Sequence, residues 1–194
     1  MKLSREVWVT GIGIVSCVGE GHAAHGPRDL AGSSVEFAKC GPYSVHPICQ
    51  LDYSRQIAKT SEQRQMGTWQ RSGVYAAGLA LADAGLAGLP ELLDRTHLIV
   101  AAGNGERDIG FDSKVLESGI ADAGAETRLN DALMTGLRPT LYLGELSNLL
   151  AGNISIIHHA TGSSRTFKGE EIAGASALEN AHRRIMGGQG EVFL

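Results

Sequence analysis

Apolar positions in this chain fall into short continuous runs separated by longer stretches with helical spacing. Residues 7–16 (VWVTGIGIVS) form a β-rich run broken by two glycines, which predicts a buried strand followed by a tight turn. Residues 96–102 (THLIVAA) form a continuous apolar run, which is typical of an internal strand covered on both faces. Shorter strands are predicted at residues 165–168 and 191–194.

Between these runs, apolar side chains recur every three or four residues, which predicts helices. The predicted helical segments are residues 61–86, 145–159 and 170–186, and the last is rich in small residues that permit close packing. Residues 108–125 are more polar and predict a helix plus a loop. Residues 19–52 show little periodicity and are predicted to be loop or short irregular helix.

Strands separated by long helices predict a layered α/β fold with a mainly parallel sheet. The 194 residues are enough for one domain, and no internal boundary is visible, so a single domain over residues 1–194 is predicted. The 26 glycines are scattered rather than periodic, which indicates tight turns and close helix packing.

Composition excludes several function classes. The net charge is −4 and basic residues do not cluster, so nucleic-acid binding is not expected. Apolar stretches are all shorter than a bilayer-spanning helix, so no membrane association is expected. Three cysteines without a CxxC pair and without a secretory signal favour reduced thiols and a cytoplasmic location.

Two short motifs invite a cofactor or metal interpretation. Gly11 and Gly13 begin a dinucleotide-binding pattern, but Ser16 stands in the place of its third glycine, which favours a structural turn. His158 and His159 are adjacent on a predicted helix, where neighbours point about 100° apart, so they share a metal poorly. No cofactor and no metal are therefore predicted.

Two further patterns have both a chemical and a plain interpretation. The sequence Gly103-Asn104-Gly105 suits an oxyanion-binding turn, and it equally suits an ordinary turn. Glu170 and Glu171 are a paired-carboxylate candidate, yet acids at a helix N-terminus also stabilise the helix dipole without any chemistry.

Three segments, taken in their order and spacing, resemble the N-terminal half of the β-ketoacyl-acyl-carrier-protein synthases, the condensing enzymes of fatty acid and polyketide synthesis. They are residues 7–19 (VWVTGIGIVSCVG), residues 80–86 (ALADAGL) with residues 98–105 (LIVAAGNG), and residues 148–181, which include AGNISI and IAGASALENA. The resemblance implies a thiolase-like half: a single layered α-β-α domain with a mixed, mainly parallel five-stranded sheet.

The same resemblance places a different residue at the position of the family's nucleophile. The family carries T-A-C-x-S-G at the start of a buried helix, and this chain aligns Gly169-Glu170-Glu171 with T-A-C and Ala173 with the serine. Glu171 thus occupies the position of the nucleophilic cysteine. A carboxylate is a weak nucleophile and cannot hold an acyl chain as a thioester.

The family's second half supplies two histidines and a lysine for decarboxylation. The histidines outside the helical pair were compared with that motif and none matches: His22, His25, His46, His97 and His182. Without a nucleophile or a decarboxylating pair, the chain is predicted not to be an enzyme with condensing activity of its own.

In the family, the strand before the nucleophile helix pairs across a two-fold axis, and a nearby segment enters the partner's acyl tunnel. By resemblance, these are residues 165–168 and residues 138–149. The predicted partner-facing and tunnel-facing residues are Leu141, Tyr142, Leu143, Leu146, Arg165, Thr166 and Phe167. The plain alternative for each of them is a place in the core of this chain.

The resemblance therefore implies a subunit of the chain-length-factor type, possessing no nucleophilic cysteine and pairing with a full-length β-ketoacyl synthase as a heterodimer. A shortened subunit of this type resembles the small subunit of aryl polyene systems, and it meets an acyl carrier protein only indirectly. The alternative is a malonyl-acyl-carrier-protein decarboxylase-like or scaffold subunit of the same pathway.

Overall fold

The computed structural model describes residues 5–26, 42–103, 105, 107–118, 124–137, 141–169 and 171–194. Its strands are β1 (Val15–Ser16), β2 (Gly19–Glu20), β3 (Leu98–Ala102) and β4 (Ser164–Lys168). Its helices are α1 (Thr60–Gln65), α2 (Thr68–Asp83), α3 (Pro90–Leu93), α4 (Ile109–Ser118), α5 (Ala125–Gly136), α6 (Leu141–Gly144), α7 (Leu149–His158) and α8 (Ala173–Met186). Short 3-10 helices cover His22–His25 and Tyr53–Arg55.

Strand β3 is internal, as its apolar run predicts. It pairs in parallel with β4, from Leu98 opposite Ser164 to Ala102 opposite Lys168. On its other side, a parallel bridge joins the preceding His97 to Phe193. Strands β1 and β2 pair antiparallel. The mixed, mainly parallel pairing is confirmed, although the described strands form two two-stranded sheets and this bridge rather than one five-stranded sheet.

The main core lies between β3 and helices α2 and α7. Side chains alternate along a strand, so every second residue of β3 faces this core. The buried residues that meet here include Leu98, Val100 and Ala102 of β3, Val74 and Ala77 of α2, and Leu150, Ala151 and Ile154 of α7. Each large apolar side chain buried in this way contributes about 1.5–3 kcal/mol to stability.

Helix α8 packs against β3 and β4 and adds a further layer. Its Ala173 and Ala177 are buried, and their small side chains let the helix backbone approach the strands. Coverage of β3 is less complete than the apolar run predicts, because Ala101 is exposed between two buried neighbours. The layered α/β architecture is nevertheless the predicted one.

Three predicted helices differ from the observed ones at their boundaries. The segment 61–86 is split into α1 and α2, because Met66 is extended, with φ −99° and ψ 137°. The backbone N–H of Gly67 donates to Oε1 of Gln70 at 3.1 Å and so begins α2 as a new helix. Helices α7 and α8 each begin a few residues later than predicted.

The prediction of a buried strand over residues 7–16 is wrong for most of that segment. Only Val15–Ser16 lies in a strand, and the side chains of Trp8 and Val9 are 75% and 77% exposed. The segment packs instead through its glycines: a Cβ on Gly11 or Gly13 would lie less than 3.0 Å from the backbone of α2. Close packing at glycine was predicted, and here it takes the place of strand pairing. Within the described ranges, no helix is long and apolar enough to cross a bilayer.

Candidate functional site

The candidate site lies where β3 and β4 end. The two strands are parallel and finish side by side at Ala102 and Lys168, so the chain leaves both strands at the same edge. In open α/β sheets, this carboxyl edge is where ligands bind, because the loops and helix N-termini converge there. We call it the carboxyl edge.

The segment that follows β4 carries the predicted nucleophile position to this edge. Gly169 leads into Glu171, and Ile172 is the N-cap residue of α8, which begins at Ala173. Glu171 is exposed and lies just before the helix, whereas the sequence predicted it within the first helical turn. The helix N-terminus carries partial positive charge, so a carboxylate is stabilised here. Glu170 lies outside the described residues.

The segment that follows β3 brings a second loop to the same edge. Gly105 has φ 86°, which favours glycine, and a Cβ there would lie 2.5 Å from Cα of Glu145 and 2.7 Å from the carbonyl oxygen of Gly144. The backbone of Gly105 therefore touches the turn between α6 and α7. This contact was not predicted, although a glycine three residues after a strand is the kind of signal that could have suggested it.

The predicted tunnel-facing residues lie in this turn and in α6. Leu143 is 44% exposed and Leu146 is half-buried, and their predicted tunnel-facing role stays a prediction. The backbone N–H of Leu146 donates to the carbonyl oxygen of Leu143 at 3.3 Å, which holds the two close together. Leu141 and Tyr142 begin α6, but their side chains lie outside the described part of the chain.

The predicted pairing strand, residues 165–168, is confirmed as strand β4 and lies at the edge of its sheet among the described strands. Arg165 is exposed, and Thr166 and Phe167 are half-buried. On the adjoining helix, Ile172 and Leu178 are each 73% exposed. An edge strand beside exposed apolar side chains is a surface that favours association with another chain.

The described thiols belong to neither of the segments that follow β3 and β4. The backbone N–H of Cys49 donates to the carbonyl oxygen of Ser16 at 3.1 Å, which places Cys49 beside the β1–β2 hairpin that also contains Cys17. Burial raises the pKa of the Cys49 thiol, so this group is held in its protonated, unreactive form. Cys40 lies outside the described residues.

The histidine pair at the end of α7 has a structural role. Nε2 of His158 donates a hydrogen bond to the carbonyl oxygen of Val74 at 2.8 Å, and burial lowers the pKa of His158. His159 has φ 58° and ends the helix. Helix α7 begins after the turn at the carboxyl edge and ends before β4 begins, so the pair does not join Glu171.

Comparison with known proteins agrees with this arrangement. The family described as "Beta-ketoacyl synthase, N-terminal domain" matches residues 45–194. Over 98% of its length the chain is 28% identical to 3-oxoacyl-[acyl-carrier-protein] synthase 2 of Rhizobium meliloti (strain 1021), and it covers 46% of that protein.

Three solved structures have the same fold. A β-ketoacyl synthase from Burkholderia phymatum STM815 matches with a TM-score of 0.66 at 21% identity, over 95% of this chain and 44% of its own. A type II polyketide synthase acyl-carrier protein in complex with its ketosynthase bound to the hexaketide matches with a TM-score of 0.69 at 19% identity. The match covers 96% of this chain and 49% of the other. The ishigamide ketosynthase/chain length factor matches with a TM-score of 0.69 at 18% identity, and the match covers 95% of this chain and 45% of the other.

The fold is thus the thiolase-like α/β fold of the ketosynthases. The chain belongs to the β-ketoacyl synthase family, through that family's N-terminal domain. It spans less than half the length of the relatives that it matches.

The prediction that the chain is not an enzyme is contradicted by these matches. The family and the matching relative from Rhizobium meliloti are β-ketoacyl synthases, which are enzymes. The prediction depended on one substituted position, Glu171, and on motifs of the family's second half. Family membership depends instead on the pattern of the whole matched segment, which a single substitution does not change.

Proposed function

We propose that this chain is a ketosynthase-type subunit that pairs with a full-length β-ketoacyl synthase and shapes its acyl tunnel. The pathway would be polyketide or fatty-acid-type synthesis, and the chain-length-factor subunits of that family are a functional parallel. One observation carries the proposal: the end of the edge strand β4, the exposed side chain of Ile172 and the α6–α7 turn lie around the carboxyl edge, and the exposed Leu178 lies further along α8.

The edge strand supports the pairing. Among the described strands, β4 has no neighbour on the side away from β3, and Ile172 and Leu178 add exposed apolar area at the start of α8 and along it, the helix that packs on this strand. A stable protein–protein interface buries about 800 Å² on each partner, with an apolar centre. A second synthase-type subunit that presents its own edge strand would satisfy both requirements at once.

The α6–α7 turn supports the tunnel role. Leu143 is exposed and is held at the carboxyl edge by the contact of Gly105 with the turn. An exposed leucine on a fixed turn beside an interface can limit the length of an apolar cavity in the partner. The ketosynthase/chain length factor that matches in fold is a precedent for such a pair, and the match to a ketosynthase with its carrier protein is a precedent for the acyl donor. An aryl polyene product remains the specific proposal that follows from the sequence resemblance.

Pairing can be tested by co-expression with a full-length β-ketoacyl synthase from the same genome. We expect a 1:1 complex in size-exclusion chromatography with light scattering. Leu178→Lys should abolish it, because a charge would enter the apolar part of the interface. Leu116→Lys is the matched control, because Leu116 is also a helical leucine that is 73% exposed but lies on α4. A complex that survives Leu178→Lys as well as it survives Leu116→Lys would contradict the proposed surface.

The tunnel role is tested by the product of that complex. Leu143→Trp should shorten the acyl product, whereas Leu89→Trp, at a leucine that is 38% exposed in the loop before α3, should leave it unchanged. If the complexes with the unmodified chain, Leu143→Trp and Leu89→Trp all make products of the same length, the tunnel-shaping role is contradicted while the pairing is not.

A second candidate is decarboxylation of a malonyl-carrier substrate. It is favoured by membership in an enzyme family together with Glu171, which puts an acid at the position of the nucleophile. The family's histidines belong to the half that this chain does not match, so they would come from outside these 194 residues. Release of carbon dioxide that depends on the chain and falls with Glu171→Gln would favour this candidate over tunnel shaping.

A further inference from the structure

A polar pocket lies at the opposite edge of the sheet, where β4 begins. Its volume is about 320 Å³, and its lining residues are Ser163, Ser164, Arg165, Asn180, Arg184 and Gln189. We propose that this pocket binds a phosphate group, with Arg165 and Arg184 as the two cationic ligands. The proposal goes beyond the proposed function and does not depend on it.

Arg184 is held in place by contacts that do not neutralise it. Its guanidinium NH2 group donates to Oγ of Ser163 at 3.0 Å, and its Cζ lies 4.9 Å from the centre of the Phe193 ring. Both partners are uncharged. A guanidinium that is fixed in position but keeps its full charge is prepared to bind an anion at little cost in conformational entropy.

The two carboxylates that flank Arg184 in the sequence already have partners. Glu179 accepts from Arg183 at 2.5 Å, and Glu191 accepts from Arg95 at 3.1 Å. Among the described residues, neither pocket arginine has a carboxylate partner. The basic end of α8 would by itself be explained by the helix dipole, and Arg183 fits that explanation. Arg184 does not, because it is half-buried and reaches across to the residue before β4.

Neutral hydrogen-bonding groups complete the pocket. The side-chain oxygen of Asn180 is buried and has no hydrogen-bond partner among the residues that the structure describes. Rotating that amide about its last bond would direct its NH2 group at a bound oxyanion, since the two orientations differ only in which atom is oxygen. The hydroxyl of Ser164 is exposed at the pocket and can also donate. A buried amide oxygen that finds no donor among the described residues, in the lining of a pocket with two cations, points to a missing ligand.

The number of charges favours phosphate over a carboxylate. Two arginines supply two positive charges, which match a phosphate dianion, and a guanidinium binds phosphate oxygens in a bidentate manner. The source is either free phosphate or a phosphate monoester, and both present the same group to the pocket.

The test is calorimetric titration of the full chain with inorganic phosphate in a phosphate-free buffer at low salt. The unmodified chain should bind phosphate. The affinity should be lower by about tenfold or more in Arg184→Gln and in Arg165→Gln, since each variant loses a charge-assisted hydrogen bond. Arg183→Gln is the matched control: it removes an equal charge from the same helix turn and should change the affinity by less than about twofold.

Glycerol 3-phosphate and acetate are titrated in parallel. Tighter binding of glycerol 3-phosphate than of inorganic phosphate identifies a monoester as the ligand, and the reverse order identifies free phosphate. Arg165 is exposed, so Arg165→Gln should fold normally, and an unchanged melting temperature checks this. The proposal is overturned if phosphate does not bind, if acetate binds as tightly, or if the control variant loses as much affinity as the other two. Although Arg165 lies on the strand proposed to pair, these titrations use the chain without a partner, so none of the results tests pairing with a synthase.

Discussion

His158 is joined to Val74 by a hydrogen bond of 2.8 Å from its Nε2 to the backbone carbonyl oxygen. The bond links the last residue of α7 to the middle of α2, the two helices that cover the main core. The imidazole carries a proton on Nε2 both in its neutral Nε2–H tautomer and in the charged ring, so the bond survives either protonation state. Burial, however, disfavours the charged ring and lowers the pKa of His158 below its ordinary value of 6.5.

This lowered pKa predicts an acid-sensitive stability. Above pH 6.5 the ring is neutral in both the folded and the unfolded chain. As the pH falls below that value, the unfolded chain binds the proton first, so the free energy of unfolding decreases until the folded-state pKa is reached. Urea unfolding between pH 7.5 and about pH 5 measures the slope. His158→Asn should flatten it and cost about 1–3 kcal/mol at pH 7.5. His159→Asn, at an exposed neighbour in a left-handed conformation that suits asparagine, should keep most of the slope, because burial lowers the pKa of His158 more than the charge of His159 does.

Tyr75 predicts an alkaline counterpart. Its side chain is fully buried and its hydroxyl donates to the carboxylate of Glu20, which also accepts from Arg55. Burial, followed by that hydrogen bond, raises the pKa of Tyr75 to about 12. Because the unfolded chain loses the phenol proton near pH 10, the free energy of unfolding should decrease as the pH rises from 10 towards 12. Ultraviolet difference absorbance of the phenolate checks the titration.

Substitution of Tyr75 measures how much its hydrogen bond to Glu20 contributes to the free energy of unfolding. Tyr75→Phe should cost about 1–2 kcal/mol, because the Glu20 carboxylate loses a donor. Tyr53→Phe is the control: its hydroxyl shares a hydrogen bond of 3.0 Å with the uncharged, half-buried Ser72 hydroxyl, and its loss should cost less. Equal losses in the two variants would contradict the importance of the Glu20 contact.

Gly13 should be intolerant of any side chain. A Cβ at this position would lie less than 3.0 Å from backbone atoms of Ala76 and Ala80, and backbone cannot move aside as a flexible side chain can. Gly13→Ala should therefore destabilise the chain by about 2 kcal/mol or more, measured by denaturant unfolding. Gly152→Ala is the opposite case. That glycine lies within α7 with open space around it, so the change should stabilise by about 0.5–1 kcal/mol.

Gly105 links the fold to the candidate site. Gly105→Ala combines an unfavourable backbone conformation with close contact to the backbone of Glu145, so it should push the α6–α7 turn away from the carboxyl edge at a cost of about 1–3 kcal/mol. Hydrogen exchange of residues 143–149 should accelerate. Gly103→Ala, two residues earlier with nothing within 4 Å, should leave exchange unchanged. Protection that is equal in both variants would mean that this contact does not hold the turn.

Much of the fold follows from local patterns. The apolar run around Leu98 predicted the internal strand, and the spacing from Met66 to Leu81 predicted the helix that covers it, because these residues bury a strand and one helix face in the same core. The exposed positions of Trp8 and Val9 were not predictable in this way, since an apolar run looks the same in sequence whether or not another element covers it. The backbone break at Met66 was missed because apolar periodicity continues across it.

The sequence by itself determined the family, the layered architecture and the position of Glu171 after β4, because these depend on residues close together in the chain and on motifs in a fixed order. Only the tertiary structure decided which distant residues share a site. The contact of Gly105 with Glu145 joins segments that are separated along the chain, and so does the pocket that both Arg165 and Arg184 line. Such neighbours arise from how helices and strands pack, and no spacing within one segment records them.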